Sequence, residues 1–253
     1  MIGAIAGDII GSRFEGDPSP PKDFGLFHPD CRFTDDTVCT VAVADAVMSG
    51  VGFAETLRRY VRRHPNRGYG GMFRKWAHSD DAPAYGSFGN GAPMRVSSIG
   101  WLGDSAEDVA RLAEAQAAVS HDHPDAIAAS KAVAGAIFAL RNGKPIAAVR
   151  DWLTETYSYD LEPRSALSGG FEASAAGTVP PAFAAAFEAE SWAGAVRTVI
   201  GLGGDTDTVA CICGAVAEAI HGVPPEIAAQ ARGYLTDDLL EVLDRFDQHI
   251  GRT

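Results

Sequence analysis

An all-α protein, folded as a single domain over residues 1–253, is what this sequence predicts, and three observations point there. Apolar residues recur mostly at helical spacing. No alternation of strand and helix patterns is visible, as a parallel sheet would require. No Pro/Ser/Gly-rich tract divides the chain. With 46% hydrophobic and 21% charged residues, the chain can bury a substantial core, which excludes a disordered or fibrous class.

The helices follow in order. Thr37–Met48 is an apolar run closed by Gly50. Phe53–His64 is amphipathic and is stopped by Pro65. Ser105–Val119 opens on Ser105-x-x-Asp108, which resembles a capping box. His123–Leu140 carries Pro124 at the first helical position and ends near Gly143. Further helices fit Pro145–Thr156, Pro180–Glu190, Trp192–Ile200, Asp207–His221 and Pro225–His249. Thr198–Leu202 is β-branched and short, and suits a strand or a helix end equally. The loops are rich in glycine: Gly68-Tyr69-Gly70-Gly71, Gly86 to Gly91, Gly169-Gly170 and Gly201 to Gly204.

Charge and cysteine usage narrow the class of function. A formal net charge of −12 repels polyanions, so nucleic-acid binding is not expected. Cys31, Cys39, Cys211 and Cys213 show no CxxC spacing and no zinc framework. They read as reduced thiols in or near the core, which points to the cytoplasm. The N-terminus lacks a basic region and Asp8 interrupts its apolar run, so no signal peptide is expected. The longest apolar stretch, Ala132–Leu140, falls short of the ~18 residues of a membrane span.

Two acidic clusters carry the chemistry: Phe33-Thr34-Asp35-Asp36-Thr37 and Gly203-Gly204-Asp205-Thr206-Asp207-Thr208. Each sits at the start of an apolar helix, and helix capping explains part of that placement. A helix start needs one cap, however, and each cluster offers two carboxylates and two hydroxyls. Carboxylates gathered near a core repel one another unless protonated or bound to cations. Hard oxygen donors of this kind suit Mg²⁺ or Mn²⁺. No Cys or His stands beside them for zinc, and the spacing is not that of a calcium loop. Two clusters in one helical chain suggest a binuclear centre.

In order along the chain stand Gly7-Asp8 with Gly11 and Glu15, Thr34-Asp35-Asp36-Thr37, and Gly68-Tyr69-Gly70. Ser87-Phe88-Gly89-Asn90-Gly91 follows with Met94-Arg95, then Ser120-His121 with His123-Pro124, then Thr178-Val179-Pro180, and the second acidic cluster closes the series. In this ordered set the sequence resembles the ADP-ribosylglycohydrolase family, the group related to the dinitrogenase reductase-activating glycohydrolase. The resemblance implies an all-α fold with two divalent cations, Mg²⁺ or Mn²⁺, in a central cleft. It implies Thr34, Asp35, Asp36, Asp205, Asp207 and Thr208 as metal ligands, and Glu15 and Asp35 as catalytic carboxylates. It puts diphosphate contacts at Gly70, Gly71, Ser87, Phe88 and Gly89 and a further substrate contact at Asn90, and Phe88 and His121 are placed to pack against the terminal ribose or adenine. The substrate it implies is an ADP-ribosylated protein or a small-molecule ADP-ribose conjugate.

Other readings of the same residues remain. Glu15 beside Arg13 is also what a solvated loop looks like, and His121 before a helix can be a cap or a core residue. The basic stretch from Arg58 to Lys75 reads as a solvated helix face, or as a dock for an acidic partner. Asp205-Thr206-Asp207-Thr208 also fits the DxDxT signature of haloacid dehalogenase-like phosphohydrolases, which must follow a strand of a Rossmann-like domain. A non-catalytic ADP-ribose-binding module is the other alternative. One departure from the family pattern is Glu218, where many members have glycine.

Overall fold

The computed structural model describes residues 1–163 and 172–251, so the Gly169-Gly170 loop lies outside the described residues. Among these residues the fold is helical throughout, with one isolated antiparallel bridge, Gly89 to Ser174, and no strand. The helices are α1 (Ile2–Gly11), α2 (Asp35–Ser49), α3 (Phe53–Arg63), α4 (Gly71–Ala77) and α5 (Ser97–Leu102). They continue as α6 (Ala106–Ala118), α7 (Pro124–Arg141), α8 (Ile146–Tyr157), α9 (Ala175–Glu188) and α10 (Trp192–Ile200). The last three are α11 (Thr206–His221), α12 (Pro225–Arg232) and α13 (Asp237–His249). Pro93–Arg95 forms a 3₁₀ turn.

The centre of the molecule is the pair α1 and α11. Every residue of α1 is buried, as is α11 from Thr206 to Glu218. Around this pair pack α9, α10, α7 and α12, with α2 against α1. The two backbones come together because α1 shows glycine every fourth residue on one face, at Gly3, Gly7 and Gly11. A Cβ on Gly7 would lie 2.0 Å from the Ala210 carbonyl oxygen, and one on Gly11 2.4 Å from that of Thr206. Only glycine permits this approach. It sets Asp8, next to Gly7, beside the first turn of α11.

Glu218 has a specific place in this packing. Its carboxylate accepts hydrogen bonds from the Met1 amino group at 2.8 Å and from the Gly3 N–H at 2.9 Å. The departure from the family pattern thus ties the start of α1 to the end of α11.

The structure revises several helix boundaries. Ile2–Gly11 forms α1, which its glycine content disguises. Pro180 does not open a helix: α9 starts five residues earlier, where the Ser174 hydroxyl caps it by accepting the Gly177 N–H, and Pro180 and Pro181 lie inside. Pro225–His249 is two helices, because α12 stops at Gly233 and α13 begins after Thr236. Thr198–Leu202 is the end of α10 and the turn after it.

Candidate metal centre

Acidic residues from three helices meet at the floor of one cleft. One carboxylate oxygen from each of Asp8 on α1, Asp36 on α2 and Asp207 on α11 lies within 4.8 Å of the others, and all three residues are buried. The two acidic clusters predicted to share a centre therefore do come together. The Thr208 hydroxyl donates to Asp36 Oδ2 at 3.1 Å and joins them directly.

Capping does not consume these carboxylates. On α2 the cap is Thr34, whose side chain accepts the Asp36 backbone N–H at 3.3 Å. On α11 the N-cap position is Asp205, but its side chain makes no capping bond. It accepts the Asn90 Nδ2–H at 2.7 Å instead. Asp36 Oδ1 and Asp207 Oδ1 are buried without a hydrogen-bond partner among the described residues.

The electrostatics of this cluster are unfavourable as it stands. Burial, then the neighbouring Asp207, hold the Asp36 carboxyl well above the usual range. Burial, then Asp205, do the same to Asp207. Burial and the Asp8 charge push Asp35 up to about 8. Unpartnered, mutually repelling carboxylate oxygens with two hydroxyls beside them form a donor set that fits hard divalent cations. The cluster contains no sulfur or imidazole donor, so it does not fit zinc.

Asp8 is the residue for which the sequence reading gave no role. Its Oδ1 accepts from the Thr34 hydroxyl at 2.7 Å. Its Oδ2 accepts from the Thr34 N–H at 3.0 Å, the Thr37 N–H at 3.1 Å and the Thr37 hydroxyl. Four donors use the lone pairs a carboxylate offers. Burial raises the Asp8 carboxyl and these bonds lower it, leaving it at about 6. Asp8 therefore fixes the first turn of α2, and because it takes the Thr34 proton, the Thr34 oxygen keeps one lone pair beyond the one that accepts the Asp36 N–H. The signal available in the sequence was the glycine spacing around Asp8, which marks a helix packed backbone to backbone.

The cleft above the cluster encloses about 590 Å³. Asp36, Asp207 and Thr208, all buried, line it deepest, with Asp35, Asp205 and the exposed Glu15 beside them. Gly70, Gly71, Ser87, Gly89, Asn90 and His121 line its walls. Thr34 lies behind the floor, hydrogen-bonded to Asp8 and Asp36. Two placements differ from the pattern of the rest. Phe88 does not line the cleft: it is 58% exposed and meets the His123 ring edge-on at 5.8 Å. Asn90 is buried, and its amide is committed to Asp205 and, at 3.1 Å, to Thr178. Glu15 is exposed at the cleft and pairs loosely with Arg32 at 3.6 Å.

The rival readings lose ground on this geometry. Asp205–Thr208 opens a buried helix, not the end of a strand, so the phosphohydrolase signature lacks its fold. The arginines of α3 hold the protein together: Arg58 binds the carbonyls of Asp80 and Ala82, Arg59 pairs with Asp45, and Arg62 with Asp80. Among the described residues no helix is long and apolar enough to cross a membrane.

Comparison with known proteins agrees with the architecture. A family model described as ADP-ribosylglycohydrolase matches residues 1–253. The chain is 27% identical to ADP-ribosylhydrolase ARH3 of Danio rerio over 304 residues, covering 88% of this chain and 82% of that protein. It is 25% identical to ADP-ribosylhydrolase ARH3 of Mus musculus, across 48% of this chain and 42% of the mouse protein. A solved structure titled "ADP-ribosylglycohydrolase-related protein complex" superposes with a TM-score of 0.68 at 22% identity, over 99% of this chain and 94% of that one. At that identity the match speaks for a shared fold.

Proposed function

Because the chain belongs to the ADP-ribosylglycohydrolase family, we propose that it is a hydrolase that splits the glycosidic bond between ADP-ribose and an acceptor, a protein side chain or a small molecule. The observation that carries this reading is the meeting of the Asp36 and Asp207 carboxylates, each with an unpartnered oxygen, at the floor of a glycine-walled cleft. Thr34, Asp35, Asp36, Asp205, Asp207 and Thr208 hold two Mg²⁺ or Mn²⁺ ions in this reading. When bound, the ions supply positive charge that grips the ribose hydroxyls and polarises water.

The chain's own residues do the rest. Cleavage at the ribose builds positive charge on the anomeric carbon and ring oxygen. Glu15 stands exposed at the cleft, where a carboxylate can face that charge or take a proton from the attacking water. Asp35, which also lines the cleft, is the second candidate for that role, although in this reading it would be one of the residues that hold the ions. The walls at Gly70, Gly71 and Gly89 let backbone N–H groups come close to a diphosphate. Asn90 keeps Asp205 turned toward the floor. Four buried free cysteines support a reducing compartment, the cytoplasm. The acidic surface makes nucleic acid an unsuitable partner.

A panel of defined ADP-ribose conjugates (linked through arginine, serine, a base or an ester) tests the reading when assayed with Mg²⁺, Mn²⁺ and EDTA. Release of ADP-ribose from at least one conjugate, abolished by EDTA, is the expected result. Turnover that survives chelation overturns the metal-dependent mechanism. Binding of ADP-ribose without turnover of any conjugate would favour the non-catalytic alternative.

A further inference from the structure

Arg95 is fully buried and pairs with no carboxylate among the described residues. Its Nε donates to Gln116 Oε1 at 2.7 Å, and its Nη2 to the Gln116 carbonyl at 2.8 Å and to Ser120 Oγ at 3.0 Å. Its Nη1 finds no acceptor. Gln116 is itself held, since its Nε2 donates to the carbonyls of Ala113 and Ala92. A lone buried guanidinium costs stability. Neither the metal centre nor the cleft walls make direct use of this one.

The consequence appears one residue past Ser120. Ser120 Oγ lies 2.8 Å from His121 Nδ1. Arginine can only donate, so the Arg95–Ser120 bond occupies the serine oxygen as an acceptor. The serine oxygen keeps a second lone pair, but His121 Nδ1 is the acceptor its proton finds among the described residues, so donation to Nδ1 satisfies that buried proton and leaves the imidazole proton on Nε2. That nitrogen has no partner among the described residues, and the ring lines the cleft. It faces the turn from Ser87 to Gly91: a Cβ on Gly91 would lie 2.9 Å from Nε2, and one on Gly89 3.8 Å. Burial, then the Arg95 charge, pull the ring down to about 3, so it stays neutral.

From this geometry we infer that Arg95 and Ser120 are positioning residues that lock His121 as a neutral Nε2–H donor toward an oxygen of the substrate's diphosphate. The inference rests on the reading that the cleft binds ADP-ribose. Gln116 orients the guanidinium, the guanidinium orients the hydroxyl, and the hydroxyl sets the tautomer. The donor then stands beside the glycine wall, with its proton already in place before a ligand arrives.

The test has two arms on the Mg²⁺-loaded full chain near neutral pH. Long-range ¹H–¹⁵N spectra of the histidine-labelled protein read the tautomer, with the His121 signals assigned by their loss in His121→Gln. The wild type should show Nδ1 as a bare, hydrogen-bonded nitrogen and Nε2 as protonated. Ser120→Ala should mix the tautomers, and Ser120→Thr, which keeps the hydroxyl, should restore the wild-type pattern. Arg95→Met should also mix them. If it fails to fold, as thermal unfolding will tell, the serine pair carries the test alone.

Calorimetric titration with ADP-ribose and with ADP supplies the second arm. Ser120→Ala should weaken both ligands about five- to tenfold, the size of one hydrogen bond, with recovery in Ser120→Thr. A wild-type His121 protonated on Nδ1, or a Ser120→Ala protein with unchanged tautomer, overturns the lock. A loss of affinity for ADP-ribose but not ADP overturns the assignment to the diphosphate. If the wild type shows the Nε2–H tautomer but binds neither ligand, the ADP-ribose reading falls and takes the ligand assignment with it, while the lock stands.

Discussion

The Thr208 hydroxyl on α11 reaches the Asp36 carboxylate on α2 at 3.1 Å, a single hydrogen bond between the two acidic helix starts. Its oxygen stands at the cleft floor beside the carboxylates it helps to align. Thr208→Val keeps the shape and removes the donor and the ligand atom together. We expect Mn²⁺ affinity to fall about tenfold or more, by analogy with the loss of one ligand or its supporting partner. Calorimetry with Mn²⁺ measures this, and unchanged affinity would remove Thr208 from the ligand set.

Asp36→Asn separates stability from metal binding. In EDTA the variant should melt higher than the wild type, because the fold no longer has to hold a carboxyl protonated, or bury its charge, beside Asp207. Each kcal/mol recovered raises Tm by about 2–4 °C for a chain of this size. Adding Mg²⁺ should raise the wild-type Tm and leave the variant's nearly where it was. Melting curves with and without Mg²⁺ decide the matter, and a variant that Mg²⁺ still stabilises fully counts against Asp36 as a ligand.

The metal-free protein should lose stability as the solution becomes more alkaline. Burial and the Asp8 charge raise the Asp35 carboxyl from its ordinary 3.8 to about 8, and burial raises Asp36 and Asp207 as well. A carboxyl raised in the folded state binds more protons there than in the unfolded chain. Stability therefore falls as pH climbs from 3.8 toward about 8. Cations replace those protons, so the Mg²⁺-induced rise in Tm should be larger at the alkaline end of this window than at the acidic end. Thermal scans across that window, in EDTA and in Mg²⁺, read the difference.

Gly7→Ala tests the junction that builds the centre. The new methyl would meet the Ala210 carbonyl at 2.0 Å, and backbone cannot step aside as a flexible side chain can. A loss of about 1–3 kcal/mol or more is expected, as for overpacking in a tight core. Because Asp8 sits next to it, Mn²⁺ affinity should fall as well. Urea unfolding and metal titration on the same variant check both expectations.

Glu15→Gln should leave Mn²⁺ affinity and Tm near wild type, since Glu15 is exposed and its contact with Arg32 is loose. If Glu15 handles the proton of the attacking water, kcat should drop about 10²–10⁴-fold. Steady-state kinetics on whichever conjugate the wild type cleaves best gives the answer. A variant with wild-type kcat shifts the base elsewhere.

The all-α class and most helices are legible because apolar spacing and caps carry them. Ser105 caps α6 by accepting the Asp108 N–H, as the spacing suggests, while the Asp108 carboxylate accepts from the Asp104 N–H instead of closing the box. The meeting of the two acidic stretches is legible too, since Asp36 and Asp207 crowd the starts of two apolar helices. Other features depend on partners distant in sequence. Local propensity disfavours a helix with glycine at positions 3, 7 and 11, and only packing against α11 reveals why it forms. Pro180 looks like a helix start until Ser174 is seen capping upstream. Beside the glycine spacing around it, nothing local tells what Asp8 does, because its four donors belong to Thr34 and Thr37. Asn90 reads as a wall residue, and its bond to Asp205 exists only after folding.

The close seat of α1 on α11 has a consequence for the protein's birth. Synthesis delivers Asp8, Asp35 and Asp36 early and Asp207 late, so on the ribosome the nascent segment carries half a centre for most of its elongation. The acidic cluster and the cleft above it cannot be complete until the glycine-faced helix receives its partner. Assembly of the whole site is thus timed by the emergence of one late helix.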